Sequence, residues 1–171
     1  MGVKMNRIDG KVAVITGGTQ GLGAAIAKLF AEAGALGIVI VGRDQKKGAK
    51  VASEISKTYG LQVKMITADL EKIKDVQRIM AETDNIFGRV DILVNSAGVT
   101  DRGNILNTNP DLFNRMIAVN TRAPFFLIQD AAKIMIRENI DAELLIYALC
   151  QNTRGNLFCA LMQLQKVHLL P

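Results

Sequence analysis

Between an apolar run, Lys11-Val-Ala-Val-Ile15, and a helical pattern, Ala24-Ala-Ile-Ala-Lys-Leu-Phe-Ala-Glu-Ala33, lies the stretch Thr16-Gly-Gly-Thr-Gln-Gly-Leu-Gly23. Its surroundings make it the turn from a first buried strand into a first helix. Glycines there let backbone N–H groups approach an anion closely, and the helix dipole favours negative charge at the same place. A dinucleotide pyrophosphate is the usual occupant of such a turn. The alternative is a tight strand-to-helix connection with no ligand, but the strand and helix on either side meet the context that the motif requires.

Length and composition narrow the classes. A chain of 171 residues suits one domain with a real core, and 49% hydrophobic with 22% charged residues is the balance of a globular α/β chain. No stretch approaches the ~18 uninterrupted apolar residues of a membrane span, so no membrane partner is expected. The start, Met1 to Gly10, lacks the apolar region of a secretory signal, and Asn6 stands where N-myristoylation wants Ser or Thr. A cytoplasmic location is the expectation. The net charge of +5 comes from scattered basic residues, with one small cluster, Lys46, Lys47 and Lys50, on a single predicted helix. A solvated helix face explains that cluster, so no nucleic-acid partner is expected. Cys150 and Cys159 fit neither a redox pair nor a zinc spacing, and the single histidine is His168. No metal site follows.

Strands and helices alternate along the chain. Leu36 to Val41 is a second all-apolar strand after a cap at Gly34, and Gln45 to Tyr59 is a second helix closed by Gly60. Leu61 to Thr67 alternates as a third strand, Glu71 to Phe87 is a third helix, and Gly88 to Asn95 a fourth strand. Pro110 to Glu138 reads as a helix or helix pair broken near Pro124, with Phe113, Met116, Ile117, Phe125, Phe126, Ile128 and Met135 as its apolar positions. All-apolar strands suit a parallel sheet covered on both faces, and right-handed crossovers then give a three-layer, doubly wound α/β fold of Rossmann type.

Gly17, Gly21 and Gly23 resemble the T-G-x-x-x-G-x-G fingerprint of the short-chain dehydrogenase/reductase family, and Asn95-Ser-Ala-Gly98 after the fourth strand resembles its N-N-A-G motif, with Ser96 replacing the second asparagine. The resemblance covers about residues 8 to 143. It implies that Gly17, Thr19, Gln20, Gly21, Leu22 and Gly23 hold the cofactor diphosphate, and that Asn95, Ala97 and Gly98 lie by its ribose and nicotinamide. At the end of the second strand Gly42 takes the acidic position that reads ribose hydroxyls, and Arg43 follows where a cation meets a 2′-phosphate; this favours NADP over NAD. Asp44 complicates the choice: it caps the next helix, or a one-residue shift brings its carboxylate to the ribose. Asp69 likewise either caps the third helix or, with the backbone of Leu70, contacts the adenine. Within Ile117-Ala-Val-Asn120 the resemblance makes Asn120 a catalytic residue that helps hold a water on the proton relay; alternatively it is a buried asparagine that satisfies local backbone groups.

The pattern breaks near residue 144. The family resemblance calls for a fifth strand ending in a catalytic serine, then Tyr-x-x-x-Lys, the tyrosine passing the proton with its pKa lowered by the lysine. This chain has Leu144-Leu-Ile-Tyr147-Ala-Leu-Cys-Gln151 and no Tyr-x-x-x-Lys. Joining the last base of each codon to the first two of the next forces alanine across 162/163. Synonymous codons allow Tyr across 161/162 and Lys across 165/166, four positions on, and Ser across 148/149, thirteen before the tyrosine, as the family's spacing requires. Residues from about 144 onward therefore read as a frameshifted ending, whether by mutation, in a pseudogene or through a sequence error. The expectations are a nucleotide-binding domain over 1–143 and a divergent tail over 144–171. The family would act on a small carbonyl or secondary alcohol by hydride transfer, this chain being weakly active or inactive. Strands near Asn95 would lack neighbours, and the apolar face of residues 112 to 136 would lose its cover, part of which a tail helix with Leu157, Phe158, Leu161 and Leu164 could replace. A homo-oligomer is expected if the missing part is restored, and the uncovered face would itself be prone to association. The rival readings are a non-catalytic dinucleotide-binding module and a truncated product without a role.

Overall fold

A computed structural model describes residues 7–100, 106–140, 142–146 and 163–167. Cys150, Cys159, His168, Tyr147, Leu157, Phe158, Leu161 and the codon junctions at 148/149 and 161/162 lie outside the described residues. The elements run β1 (Val12–Thr16), α1 (Gly21–Glu32), β2 (Gly37–Gly42), α2 (Gln45–Tyr59), β3 (Gln62–Thr67), α3 (Ile73–Phe87), β4 (Ile92–Asn95), α4 (Pro110–Ile117), a π turn (Ala118–Arg122), α5 (Ala123–Arg137), β5 (Ala142–Ile146) and β6 (Gln163–Val167).

One six-stranded sheet has the order β3-β2-β1-β4-β5-β6. The first five strands are parallel, and β6 pairs antiparallel with β5. Two apolar clusters explain why β1, β2 and β4 carry no polar alternation, which only the edge strand β3 keeps among these four. Val14, Val39 and Leu93 pack with Ile79, Met80 and Leu127 on one face, whereas Ala13, Ile15, Ile38, Ile40 and Val94 pack with Ala27 and Ile55 on the other. Successive side chains of a strand point to opposite faces, so a sheet covered twice needs apolar residues at every position. The three-layer, doubly wound fold is the expected one.

Several local expectations change. Gly88 does not open β4: it caps α3 at φ 69°, and Asp91 precedes the strand. The buried Asp91 carboxylate accepts from Val12 N at 2.8 Å and from Arg89 Nε at 2.9 Å, while Asp91 N donates to Val12 O at 2.9 Å. That exchange ties the start of β1 to the approach to β4. The third helix starts at Ile73 rather than Glu71, because Asp69 and Asp75 hold a turn in between: Asp69 Oδ1 accepts from Glu71 N and Asp75 Oδ2 from Asp69 N.

The chain does not break near Pro124. It stays helical from Pro110 to Arg137, widening into the π turn at Ala118–Arg122, where Ala123 N donates to Ala118 O. Proline has no N–H, so the Asn120 carbonyl has no donor four residues on, and the widened turn accommodates the ring without ending the helix. On this helical run Phe113, Phe125 and Ile136 are 54%, 60% and 60% exposed, whereas Leu127, Ala131 and Met135 are buried.

The region after residue 143 also differs from expectation. β4 does not lack a neighbour, since β5 pairs with it from Ile92↔Glu143 to Val94↔Leu145. Leu164 lies in β6, not in a covering helix.

Candidate functional site

The glycine turn is held against the sheet from two sides. Gly18 N donates to Val41 O at 3.2 Å, fixing the turn to the end of β2. Thr16 Oγ1 accepts from Ala97 N at 3.2 Å, fixing the loop after β4 to the end of β1. Gly17 sits where the two turns meet, at φ 69°; a Cβ there would stand 2.9 Å from Ala97 N and 3.0 Å from Ser96 C. A Cβ on Gly23 would collide with the Gly17 carbonyl oxygen. Both glycines are therefore set by backbone-to-backbone approach, and the cleft between these turns exists because neither carries a side chain.

That cleft has a volume of about 310 Å³. Of the residues expected around a cofactor, Gly17, Thr19, Gln20, Gly21, Leu22, Gly23, Arg43, Asp69, Leu70, Ala97 and Gly98 all line it. Asn95 and Asn120 do not. Asn95 is 2% exposed at the end of β4, and neither its Oδ1 nor its Nδ2 has a hydrogen-bond partner. Asn120 is exposed on the π turn, where its Oδ1 accepts from Val99 N at 2.9 Å and its Nδ2 donates to Val99 O at 2.7 Å. Asn120 is therefore not the buried asparagine of the alternative reading; its side chain is exposed and anchors the loop that follows Gly98, 21 residues away. Its carbonyl is the group that Pro124 deprives of a donor.

Two ambiguities are reduced by hydrogen bonding. The Asp44 carboxylate caps α2, accepting from Lys47 N at 3.0 Å, and lies 3.8 Å from Lys47 Nζ. It is engaged away from the cleft, whose lining includes Arg43 but not Asp44. Asp69 does not cap the third helix, whose N-cap is Lys72 with no side-chain hydrogen bond; it accepts instead from Glu71 N at 3.1 Å in the preceding turn, and it lines the cleft. Residue spacing alone did not reveal Val41, Ala68, Glu71, Val99, Thr100 and Val119, which also line the cleft. Val41 and Ala68 arrive as strand ends, a signal that the apolar runs did contain. Val119 comes from the π turn, which no periodicity marked. Glu71 faces the cleft with its charge countered by Arg115 Nε at 2.7 Å, and its carbonyl accepts from Arg122 Nη2 at 2.7 Å.

The residues present fit a dinucleotide. The first turn of α1 has no acidic residue, and it has no side-chain cap, whereas Asp44 and Asn109 cap α2 and α4. Helix-terminal N–H groups that the protein leaves without a side-chain acceptor suit the oxygens of a diphosphate. The cleft lies beyond the carboxyl ends of β1, β2, β3 and β4, where the connections leave to opposite sides of the sheet, the usual crevice of an open α/β sheet. Among the described residues, no group of three or more His, Cys, Asp or Glu could hold a metal ion, and no helix is long and apolar enough to cross a membrane.

Comparison with known proteins places this architecture. The sequence profile of the short chain dehydrogenase family matches residues 11–143. Versicolorin reductase 1 of Aspergillus parasiticus is 37% identical over 130 residues, 76% of this chain and 49% of that protein. An uncharacterized oxidoreductase of Thermotoga maritima is 39% identical over 130 residues, 76% of this chain and 50% of its own length. The L-sorbose reductase of Gluconobacter frateurii, solved with NADPH and L-sorbose, aligns with a TM-score of 0.79 at 29% identity, over 83% of this chain and 53% of that one. A metagenomic short-chain oxidoreductase in complex with NADP aligns with a TM-score of 0.75 at 32% identity, over 81% of this chain and 62% of that one. The chain spans about half the length of the curated relatives it matches. With its glycine turn, its Asn-Ser-Ala-Gly loop and its sheet order, the chain belongs to the short chain dehydrogenase family of NAD(P)-dependent oxidoreductases.

Proposed function

We propose that residues 1–143 are the NADP-binding domain of a reductase acting on a small carbonyl or secondary alcohol, and that the present chain binds the cofactor with little or no turnover. The observation that carries the cofactor preference is at the end of β2. Gly42 offers no carboxylate, Asp44 is engaged as a helix cap, and Arg43 is the charged side chain of that segment lining the cleft. A guanidinium suits a 2′-phosphate.

In this reading the α1 turn and its glycines hold the diphosphate, Asp69 and Leu70 the adenine, and Ala97 and Gly98 lie against the nicotinamide ribose. Asn95 lies buried at the end of β4 where that loop begins. When bound, the nicotinamide supplies the hydride. The Asn120 carbonyl accepts from a water on the proton path, and its side chain keeps the Val99 loop in place. The acid that would complete proton transfer is missing, because no Tyr-x-x-x-Lys occurs in the chain. Turnover at an ordinary family rate, lost in Asn120→Ala, would contradict this.

The direct experiment is titration of the 171-residue protein with NADPH and NADH, followed by nicotinamide fluorescence. Saturable binding with NADPH the tighter ligand is expected; no saturation, or equal affinities, overturns the assignment. Resequencing the coding DNA from codon 135 past the stop tests the ending. A single inserted or deleted base that restores Ser, Tyr and Lys makes the functional protein an ordinary reductase and this chain its damaged copy, with homo-oligomerisation returning with the restored part. An intact frame without those codons favours a second reading, a cofactor-binding module without the family's chemistry. The antiparallel pairing of β6 with β5 favours that reading, because it gives residues 163–167 of the divergent tail a place in the sheet.

A further inference from the structure

The residue facing Gly42 is Thr19, the fourth position of the stretch Thr16–Gly23. A Cβ built on Gly42 would stand 2.6 Å from Thr19 Cγ2, 3.1 Å from its Oγ1 and 3.4 Å from its Cβ. Neither backbone is free to retreat. Gly18 N–H is bonded to Val41 O at 3.2 Å on one side, and Gly42 O accepts from Ala68 N at 3.0 Å on the other. Both γ atoms of the threonine are turned toward the glycine. Of the three staggered χ1 positions, only the one that directs the Thr19 hydrogen at Gly42 would open the space, and β-branched side chains are stiff about this bond.

We propose that Thr19 is a specificity-determining residue: its γ atoms fill the volume that a ribose-reading carboxylate at position 42 would need, so the Thr19–Gly42 pair keeps this strand end without the acidic acceptor that a free 2′-hydroxyl requires, while Arg43 attracts the 2′-phosphate. This deepens the NADP reading and rests on it. An acidic side chain introduced at position 42 alone has no room beside Thr19, and it disturbs the glycine turn instead of binding ribose. Shortening Thr19 to alanine leaves only the Cβ, at an ordinary contact distance of 3.4 Å.

Two readouts on the full chain test this. The first is a melting cycle without nucleotide, with Gly42→Ala, Thr19→Ala and the pair. Gly42→Ala is expected to lower Tm by about 4 °C, and in the Thr19→Ala background to lower it by less than about half as much. The second is fluorescence titration of Gly42→Asp and Thr19→Ala/Gly42→Asp with NADH and NADPH. The double variant is expected to bind NADH at least about tenfold more tightly than Gly42→Asp does, a step of about 1.4 kcal/mol. Failure of Gly42→Asp to fold while the double variant folds also supports the pair. Additive melting effects, or a full gain of NADH binding by Gly42→Asp alone, overturn the inference and leave the NADP assignment standing. A wild-type chain that binds neither nucleotide overturns the assignment and the inference with it.

Discussion

Replacing Gly17 with alanine probes the contact on which the cleft depends. The residue is in the left-handed region at φ 69°, and its added Cβ would meet Ala97 N at 2.9 Å and Ala97 Cα at 3.0 Å, both backbone atoms of the opposing turn. The left-handed placement costs about 1 kcal/mol for an alanine, and forcing a methyl group against fixed backbone adds about 1–3 kcal/mol. Restricting the unfolded chain returns about 0.4–1 kcal/mol. Gly60 is the matched control, because it has the same φ of 69° as the cap of α2, yet its Cβ would meet nothing within 4 Å. Gly60→Ala should therefore cost about 1 kcal/mol or less, and Gly17→Ala about 2–3 kcal/mol. For a domain of this size each kcal/mol moves Tm by about 2–4 °C, so the two variants should melt about 4–8 °C apart by circular dichroism. NADPH affinity should fall in Gly17→Ala and stay unchanged in Gly60→Ala. Melting temperatures within about a degree of each other would show that the two turns are not in backbone contact, and the argument for the cleft would fail.

Arg43→Ala should weaken NADPH binding about tenfold or more while leaving NADH nearly unaffected, since a charge-assisted bond contributes about 1.5–3 kcal/mol; equal losses for both nucleotides in fluorescence titration would refute its role. Asn120→Ala should remove both bonds to Val99 and speed amide exchange at Val99 relative to the core strands, with about 1–2 kcal/mol of local stability lost; unchanged exchange would mean that the loop has another anchor. Arg137 holds Asp84 by two bonds of 2.7 Å, and this hydrogen bonding, with the attraction between the charges, keeps the Asp84 carboxyl below its usual pKa. A carboxylate with a lowered folded pKa stabilises the fold above its unfolded value of about 3.9, and the contribution is lost as pH falls through the folded pKa. The urea-unfolding difference between wild type and Arg137→Gln should hold steady above about pH 5 and shrink below about pH 4. A difference that grows on acidification would contradict the pairing.

Much of the fold was legible in the chain because its cues are local. The second helix is bounded as expected by Asp44, whose side chain can reach Lys47 N, and by Gly60 in its left-handed cap. The glycine spacing at 17, 21 and 23 and the Ser96–Gly98 part of the Asn-Ser-Ala-Gly loop identified two walls of the cleft, since each depends on residues adjacent in sequence. Less legible were features set by hydrogen-bond accounting over several residues. Gly88 read as the opening of a strand although it closes α3, and Asp91 delays β4 by bonding to Val12 from 79 positions away. Pro124 read as a break, yet the π turn ahead of it absorbs the missing donor. The strand β6 had no local signal at all, since Gln163–Val167 forms it by pairing with β5.

The chain alone determined that apolar strands alternate with helices, that a glycine turn opens the first helix, and that Ser and Tyr-x-x-x-Lys are absent in frame. Periodicity, turn chemistry and motif spacing are properties of neighbours along the chain, so they need no fold to be read. Tertiary structure decided which of Arg43 and Asp44 faces the cleft, that Asn95 is buried without partners, that Asn120 turns its side chain to Val99, and that Thr19 fills the space above Gly42. Each of these depends on where a distant segment lies once parallel strands are placed side by side. Contacts between segments tens of residues apart are set by sheet order and crossover, and no local pattern encodes them.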